Sequence, residues 1–203
     1  MSTSSSHEVQ RNPLPETSDG TSLAELQERL QASNVAAFES IFRRLSPGLY
    51  RYLCRLAPSE EAAYDLMQDT FAALWERRSR LSDVSALKSY VYRMARNRAL
   101  NAKRARKTRR DLASSVRQAV QAPQISPDQE LDAKMLGDLL HQWVDELPPR
   151  QHEALTLRRF ENMSYRSIAD VMEISTNTVR NHITLALQKL RDRLRDCRPD
   201  LLP

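Results

Sequence analysis

The chain has 203 residues, enough for two small domains or one of medium size, each with a modest core. Only 3 Gly stand against 10 Pro, 6% of the residues are aromatic, and Ala, Leu, Arg and Gln are common, which argues against turn-rich sandwiches and barrels and for helices. Lys and Arg number 31 against 26 Asp and Glu, a net charge of +5 that is informative only through its distribution.

The expected architecture is all-α, with two small helical domains joined by a flexible linker. Residues 1–22 are a Ser/Thr/Pro-rich head with no apolar segment, expected to be disordered. Nowhere do about 18 apolar residues run together, so no membrane insertion is expected and the cytoplasm is the expected compartment. Leu23, Leu26 and Leu30 then recur at helical spacing, and Ser33 or Asn34 can cap a second helix with Val35, Phe38, Ile41, Phe42 and Leu45 on one face. Ser46-Pro47 should restart or kink it, after which Leu49, Tyr52, Leu53 and Leu56 continue the stripe to Pro58. Ser59 caps a third helix, with Glu60 and Glu61 at the positive end of its dipole, predicted to run to about Arg78. Leu81 to Val84 reads as a loop, and Leu87, Val91, Met94, Ala95 and Leu100 form an amphipathic helix starting near Ser85 and ending in a basic tail. The first domain is thus expected over 23–110.

Residues 111–127 carry few apolar positions, no aromatic, and Pro123 and Pro127 at the exit, the composition of an interdomain linker. Ser126-Pro127-Asp128-Gln129 is a helix start for Leu131, Met135, Leu139, Leu140 and Val144, and opens a second domain over 128–197, followed by a tail at 198–203. Pro148-Pro149 opens the next helix, with Ala154, Leu155, Leu157 and Phe160 as its apolar positions, and Ser164 and Ser175 cap two further units.

Between Tyr165 and Ile183 the apolar residues fall in helix-turn-helix order: Ile168, Ala169 and Met172, then Ile174 in the turn, then Val179 and Ile183. Two helices crossing near a right angle need a small residue such as Ala169 at closest approach and branched residues at the corner. Met163, with Leu187 or Leu190, would close the core. Turning that face inward leaves Ser175, Thr176, Asn177, Thr178, Arg180, Asn181 and Thr184 toward solvent at the start of the second helix. Arg and Asn can bond guanine and adenine edges, and Thr hydroxyls suit phosphates. Arg158, Arg159, Arg166, Lys189 and Arg191 can add backbone contacts. Glu173 stands where such turns often carry Gly, so the turn must take a geometry that Glu tolerates at some cost in strain.

The strongest charge anomaly lies between Val84 and Arg110. Lys88, Arg93, Arg96, Arg98, Lys103, Arg104, Arg106, Lys107, Arg109 and Arg110 stand there with no acid among them. Arg93 with Arg96, and Asn97 with Asn101, are one turn apart and can follow a phosphate backbone. Tyr90 and Tyr92 offer rings for unstacked bases, and either fits the core equally well. Upstream, Asp65 to Glu76 turns Leu66, Phe71, Leu74 and Trp75 inward and leaves Gln68, Asp69 and Glu76 outward, an acidic, aromatic-edged surface for a partner.

These segments together resemble the extracytoplasmic-function family of RNA polymerase sigma factors. Asp65-Leu66-Met67-Gln68-Asp69-Thr70-Phe71-Ala72-Ala73-Leu74-Trp75 matches the family's region 2 core motif, and Ala86 to Asn97 resembles its promoter-melting segment. Leu147-Pro148-Pro149-Arg150-Gln151, Ser164-Tyr165 with Ile168-Ala169, Ile174-Ser175 with Thr178-Val179 and His182-Ile183, and Ala186-Leu187 with Leu190-Arg191 are similar to region 4. His182-Ile183 and Ala186-Leu187 are most similar to the iron-uptake-signalling branch, while Ser167 departs from the Glu that many members carry there. The resemblance implies a non-enzymatic promoter-specificity subunit. Asp65, Gln68, Asp69, Phe71, Trp75 and Glu76 would dock on the largest subunit's clamp helices, with the flap as a further core contact. Lys88, Tyr90, Tyr92, Arg93, Arg96, Asn97, Asn101 and Arg104, with the Leu81 to Val84 loop, would capture and hold the opened minus-ten strand. The helix from Thr176 would read the minus-thirty-five element of duplex promoter DNA. The linker would thread toward the RNA exit path, and an anti-sigma factor would be a further partner.

Two rivals come from other classes. A response-regulator-type helix-turn-helix protein would share Thr178 to Ile183 but needs strands in its first half, where no alternating or β-branched run appears. A helical nuclease would need a metal or carboxylate cluster; His7, His141, His152 and His182 form no spaced set, and no Gly-rich phosphate loop occurs. Cys54 and Cys197 have no companion at ligand spacing and are expected as free thiols in a reducing cytosol. No cofactor and no metal is expected.

Overall fold

The computed structural model describes residues 21–83, 86–112, 139–140 and 142–197. Among these all regular structure is helical and no strand occurs. The first lobe holds α1 (Leu23–Gln31), α2 (Val35–Cys54), α3 (Glu60–Glu76), a 3₁₀ segment (Arg78–Asp83) and α4 (Leu87–Leu112). The second holds α5 (Pro149–Arg159), α6 (Tyr165–Met172) and α7 (Thr176–Cys197), with residues 142–145 also helical. The expected head, most of the linker and the helix start at Ser126 lie outside the described residues, as does the tail.

The helix starts follow from local chemistry. Asn34 accepts from the Ala37 amide and Ser59 from the Ala62 amide, with Glu60 and Glu61 in the first turn of α3. Ser22 and Glu25 form a reciprocal capping box on α1, so order begins at the last residue of the stretch expected as head. Two boundaries differ from expectation: α2 continues through Pro47, and α3 ends at Glu76 rather than Arg78. Arg78 instead opens the 3₁₀ segment, held by its bonds to Ser33 Oγ and the Trp75 carbonyl. That segment replaces the expected loop and seats Leu81 in the core, where Gln27 donates to its carbonyl at 2.8 Å. Val84 and Ser85 lie outside the described residues, and α4 extends two residues into the stretch expected as linker.

With so few glycines, left-handed corners fall on Ser33, Asn162 and Glu173, one at each of three helix connections. One continuous apolar cluster spans both lobes. It joins Leu30, Ile41, Leu49, Leu53, Phe71 and Leu74 through Val91 and Ala95 of α4 to Leu157, Ile168, Met172 and Val179. The first lobe packs α1 and α3 on α2 and α3 on α4, while α4 also packs on α6, so α4 serves both lobes. Three positions expected inward face solvent instead: Val35, Phe160 at the end of α5, and Leu187, whose place in the core is taken by Leu190 against Leu147, Leu155 and Ala186.

Candidate nucleic-acid interface

In the second lobe, α6 and α7 form a helix-turn-helix. Ser164 Oγ accepts from the Ser167 amide and Ser175 Oγ from the Thr178 amide, each at 3.0 Å, so both helices start on a side-chain cap. Ile168, Ala169, Val179 and Ile183 are buried at the corner. Between the helices Glu173 adopts φ 55°, ψ 48°, and the amides of Glu173 and Ile174 both donate to the Ala169 carbonyl. A Glu therefore occupies the conformation that Gly takes without strain. Ser175, Thr176, Asn177, Arg180, Asn181 and Thr184 are exposed along the start of α7, while Thr178 is half-buried with its hydroxyl bonded to Ser175. Arg180 bonds only the neighbouring Asn177 side chain, at 3.3 Å, and keeps the rest of its guanidinium toward solvent.

On the far side of the first lobe, α3 exposes Asp65, Gln68, Asp69 and Glu76. Its apolar face builds an aromatic cluster. Phe38 meets Trp75 at 5.3 Å and Phe71 at 6.3 Å, both edge-on, and Phe42 meets Phe71 at 4.7 Å. Phe71 is buried, so it shapes this face from beneath; Trp75 is half-buried with the Arg78 guanidinium 4.4 Å over its ring. Phe42 and Tyr64 are large apolar groups left exposed beside it.

Between these two surfaces runs α4, whose basic residues divide by burial. Asn101, Lys103, Arg104 and Arg106 are exposed; Lys88, Tyr90, Arg93 and Asn97 are half-buried; Tyr92 and Arg96 are 0% and 3% exposed. Arg93 stacks over the Tyr90 ring at 5.7 Å. What covers the others is the second lobe. Glu153 of α5 accepts from Arg96 Nε and from Tyr52 Oη, both at 2.7 Å on one carboxylate oxygen. Glu161, after α5, accepts from Tyr92 Oη at 2.5 Å and pairs with Lys88 Nζ at 3.2 Å. Lys88 Nζ also donates to the Glu161 carbonyl at 2.6 Å, and Arg51 stands 3.8 Å from the other carboxylate oxygen. Asn97 donates to Glu173 at 3.2 Å. Burial and the adjoining carboxylates push both tyrosine hydroxyls well above the ordinary phenol range, so each keeps its proton and donates.

The energetics of such an arrangement are asymmetric. Deleting one partner of a buried ion pair strands the other charge at a cost of about 3–5 kcal/mol, whereas parting the lobes returns both partners to water. Arg55, at the end of α2, adds an ion pair with Asp145 and a close approach to His152, beside a groove also lined by Arg51, Cys54 and Pro149.

Sequence reasoning brought together the α7 residues and the basic residues of α4, and it did not foresee Glu153, Glu161 or Gly48. Gly48 is the only described glycine, and a Cβ there would lie 2.5 Å from one Glu161 oxygen and 2.7 Å from the Tyr92 hydroxyl. A Gly inside a long helical pattern, where it costs about 1 kcal/mol relative to Ala, was the available signal of a close approach.

Comparison with known proteins agrees with this geometry. The family described as Sigma-70 region 2 matches residues 41–109, and that described as Sigma-70, region 4 matches residues 137–190. The chain is 29% identical over 174 residues to the RNA polymerase sigma-H factor of Pseudomonas aeruginosa, covering 82% of this chain and 90% of that protein. It is 28% identical over 158 residues to the ECF RNA polymerase sigma factor SigM of Bacillus subtilis, covering 75% and 92%. In fold it is similar to CnrH, solved in complex with the cytosolic domain of CnrY, with TM-score 0.58 at 19% identity over 84% of this chain and 96% of that one. It is also similar to the sigma factor RpoE of Bartonella quintana, solved in complex with the anti-sigma factor NepR, with TM-score 0.56 at 21% identity over 78% and 96%. With both sigma-70 domains in order and such relatives along most of its length, the chain belongs to the sigma-70 family and is a sigma factor of the extracytoplasmic-function type, acting with RNA polymerase in transcription initiation.

Proposed function

We propose that the chain brings core RNA polymerase to promoters through three surfaces divided between a region 2 domain over 23–110 and a region 4 domain over 128–197, with residues 111–127 linking them. The exposed acids of α3 dock on the clamp helices of the largest subunit, supported from below by Phe71 and edged by Trp75, and the second lobe meets the flap. Lys88, Tyr90, Tyr92, Arg93, Arg96, Asn97, Asn101 and Arg104 of α4 hold the opened minus-ten strand. The start of α7 reads the minus-thirty-five element, with Arg180 and Asn181 on base edges and Ser175, Thr176, Asn177, Thr178 and Thr184 on phosphates or bases. No catalytic residue is needed, because strand opening draws on binding free energy, and flipping out a base costs only a few kcal/mol.

The observation that carries this reading is that an acid-free polar face on α7 and an acidic face on α3 stand on separate exposed surfaces of one chain, matched in order by two sigma-70 domains. A duplex-binding regulator needs only the first of these. Among the described residues no helix is long and apolar enough to cross a membrane, which suits work in the cytoplasm beside the polymerase. Two proteins of similar fold were solved with a partner, CnrH with CnrY and RpoE with an anti-sigma factor, which supports an anti-sigma partner here. His182-Ile183 and Ala186-Leu187 favour the iron-uptake-signalling branch within the family.

Runoff transcription with purified core polymerase and genomic promoters tests the reading. Transcription from a discrete promoter set only when the protein is added is the expected result. Tight promoter-duplex binding without core enzyme, and no transcription with it, would overturn it. Reversing charge with Asp69→Arg should abolish co-purification with core polymerase.

A further inference from the structure

We propose that the second lobe closes on α4 as a built-in stand-in for nucleic acid, with the Glu153 and Glu161 carboxylates occupying the residues that otherwise hold the opened strand. The inference rests on the reading of α4 as the strand-holding surface.

Lys88, Tyr92 and Arg96 are spaced by four and form one stripe along α4, the stripe a strand would follow. Every member of it is engaged by an acid of the second lobe: Lys88 and Tyr92 by Glu161, Arg96 by Glu153, with Glu173 on the adjacent Asn97. Each carboxylate presents its oxygens to cationic and hydroxyl donors, as a phosphate would. Tyr92 and Arg96 are sealed from solvent, so a strand cannot reach them while the lobes are closed. Gly48 supports the same conclusion from the other side, since only a residue without a side chain lets Glu161 lie against α2 and still reach Tyr92. The duplex-reading residues of α7 remain exposed in the same arrangement. Closure therefore shuts the strand-holding face and leaves the duplex-reading face available, so upstream duplex can be met before the strand is taken.

The test uses the full chain. Glu153→Gln with Glu161→Gln removes both charges, and the lobe separation is read by energy transfer between dyes on Arg43→Cys and Asp170→Cys in a Cys54→Ser, Cys197→Ser background. Binding of a fluorescent single-stranded minus-ten oligonucleotide is read without polymerase. The opened variant should show lower transfer and at least tenfold tighter strand binding than the protein with both glutamates. Equal strand binding by the two, with holoenzyme still holding the strand, overturns the closure and leaves the strand-holding role of α4 standing. A strand bound by none of them, holoenzyme included, removes that role and the closure with it. Should the charge variant fold poorly, Arg55→Cys with Asp145→Cys, joined by a short bismaleimide, locks the lobes at their other contact. The bridged protein should lose strand binding that the unbridged one gains on addition of core polymerase, and retention of binding by the bridged protein overturns the proposal.

Discussion

Gly48 and Glu161 meet so closely that a single methyl group on the glycine would lie 2.5 Å from the glutamate's carboxylate. Two effects then oppose one another in Gly48→Ala. Alanine in a helix interior gains roughly 0.5–1 kcal/mol over glycine, while overpacking a filled site costs about 1–3 kcal/mol. Because the rigid, buried Tyr92 hydroxyl is also within 2.7 Å, overpacking should win and the variant should unfold at lower denaturant. The loss should shrink in a Glu161→Ala background. A net gain for Gly48→Ala in the parent chain would show that the two lobes do not meet here in solution.

Glu173→Gly should stabilise the protein. The residue sits in the left-handed region, where a side chain costs roughly 1–2 kcal/mol, and its one partner bond, to Asn97, is exposed. A gain of about 1 kcal/mol raises Tm by roughly 2–4 °C in a chain of this size. An unchanged or lowered Tm in thermal melts would count against it.

His152 predicts an acid-sensitive junction. Burial, and next the Arg55 guanidinium, hold its imidazole below the ordinary 6.5, against the pull of Asp145. Folding therefore favours the neutral ring, and the unfolded chain binds the proton more readily. Stability should fall as pH drops through 6.5 toward the lowered value and be unaffected by this group at higher pH. Denaturant midpoints from pH 8 to pH 5.5 should decline less for His152→Gln than for the parent, the difference isolating this ring from the carboxylates.

Arg180→Ala should leave folding within about 0.5 kcal/mol, since the side chain is exposed and makes one weak bond. Discrimination of the upstream element in transcription should weaken by about 1–3 kcal/mol, the worth of a bidentate base contact. Equal use of intact and altered upstream elements by the unmutated protein would remove Arg180 from base reading.

Much of this molecule was legible locally. Ser59 with Glu60 and Glu61, Asn34, Ser164 and Ser175 each announce a helix start within four residues, and Ile168 to Ile183 announce a corner by spacing alone. Ser22 with Glu25 carried the same kind of signal but lay at the edge of a polar head. Pro47 misled because a helix can pass a proline when packing on both sides holds it, as Leu45 and Leu49 do here. Phe160 and Leu187 misled because hydrophobicity does not fix burial at a helix end or on the outer face of a long helix. The pairing of Glu153 and Glu161 with α4 had no local signature. It links residues 57 to 73 positions apart, and no periodicity encodes which lobe face meets which.

The exposed second half of α4 has its own consequence for how the protein finds DNA. Asn101, Lys103, Arg104 and Arg106 project past the covered stripe, open to solvent whichever way the lobes stand. Cations of this kind bind duplex by releasing condensed counterions, without regard to base sequence, and each phosphate engaged steepens the salt dependence by about 0.9 in log–log slope. Even a closed molecule would thus hold to any DNA weakly at low ionic strength and slide along it. Commitment to one site would come later, when selective contacts outlast that sequence-blind grip.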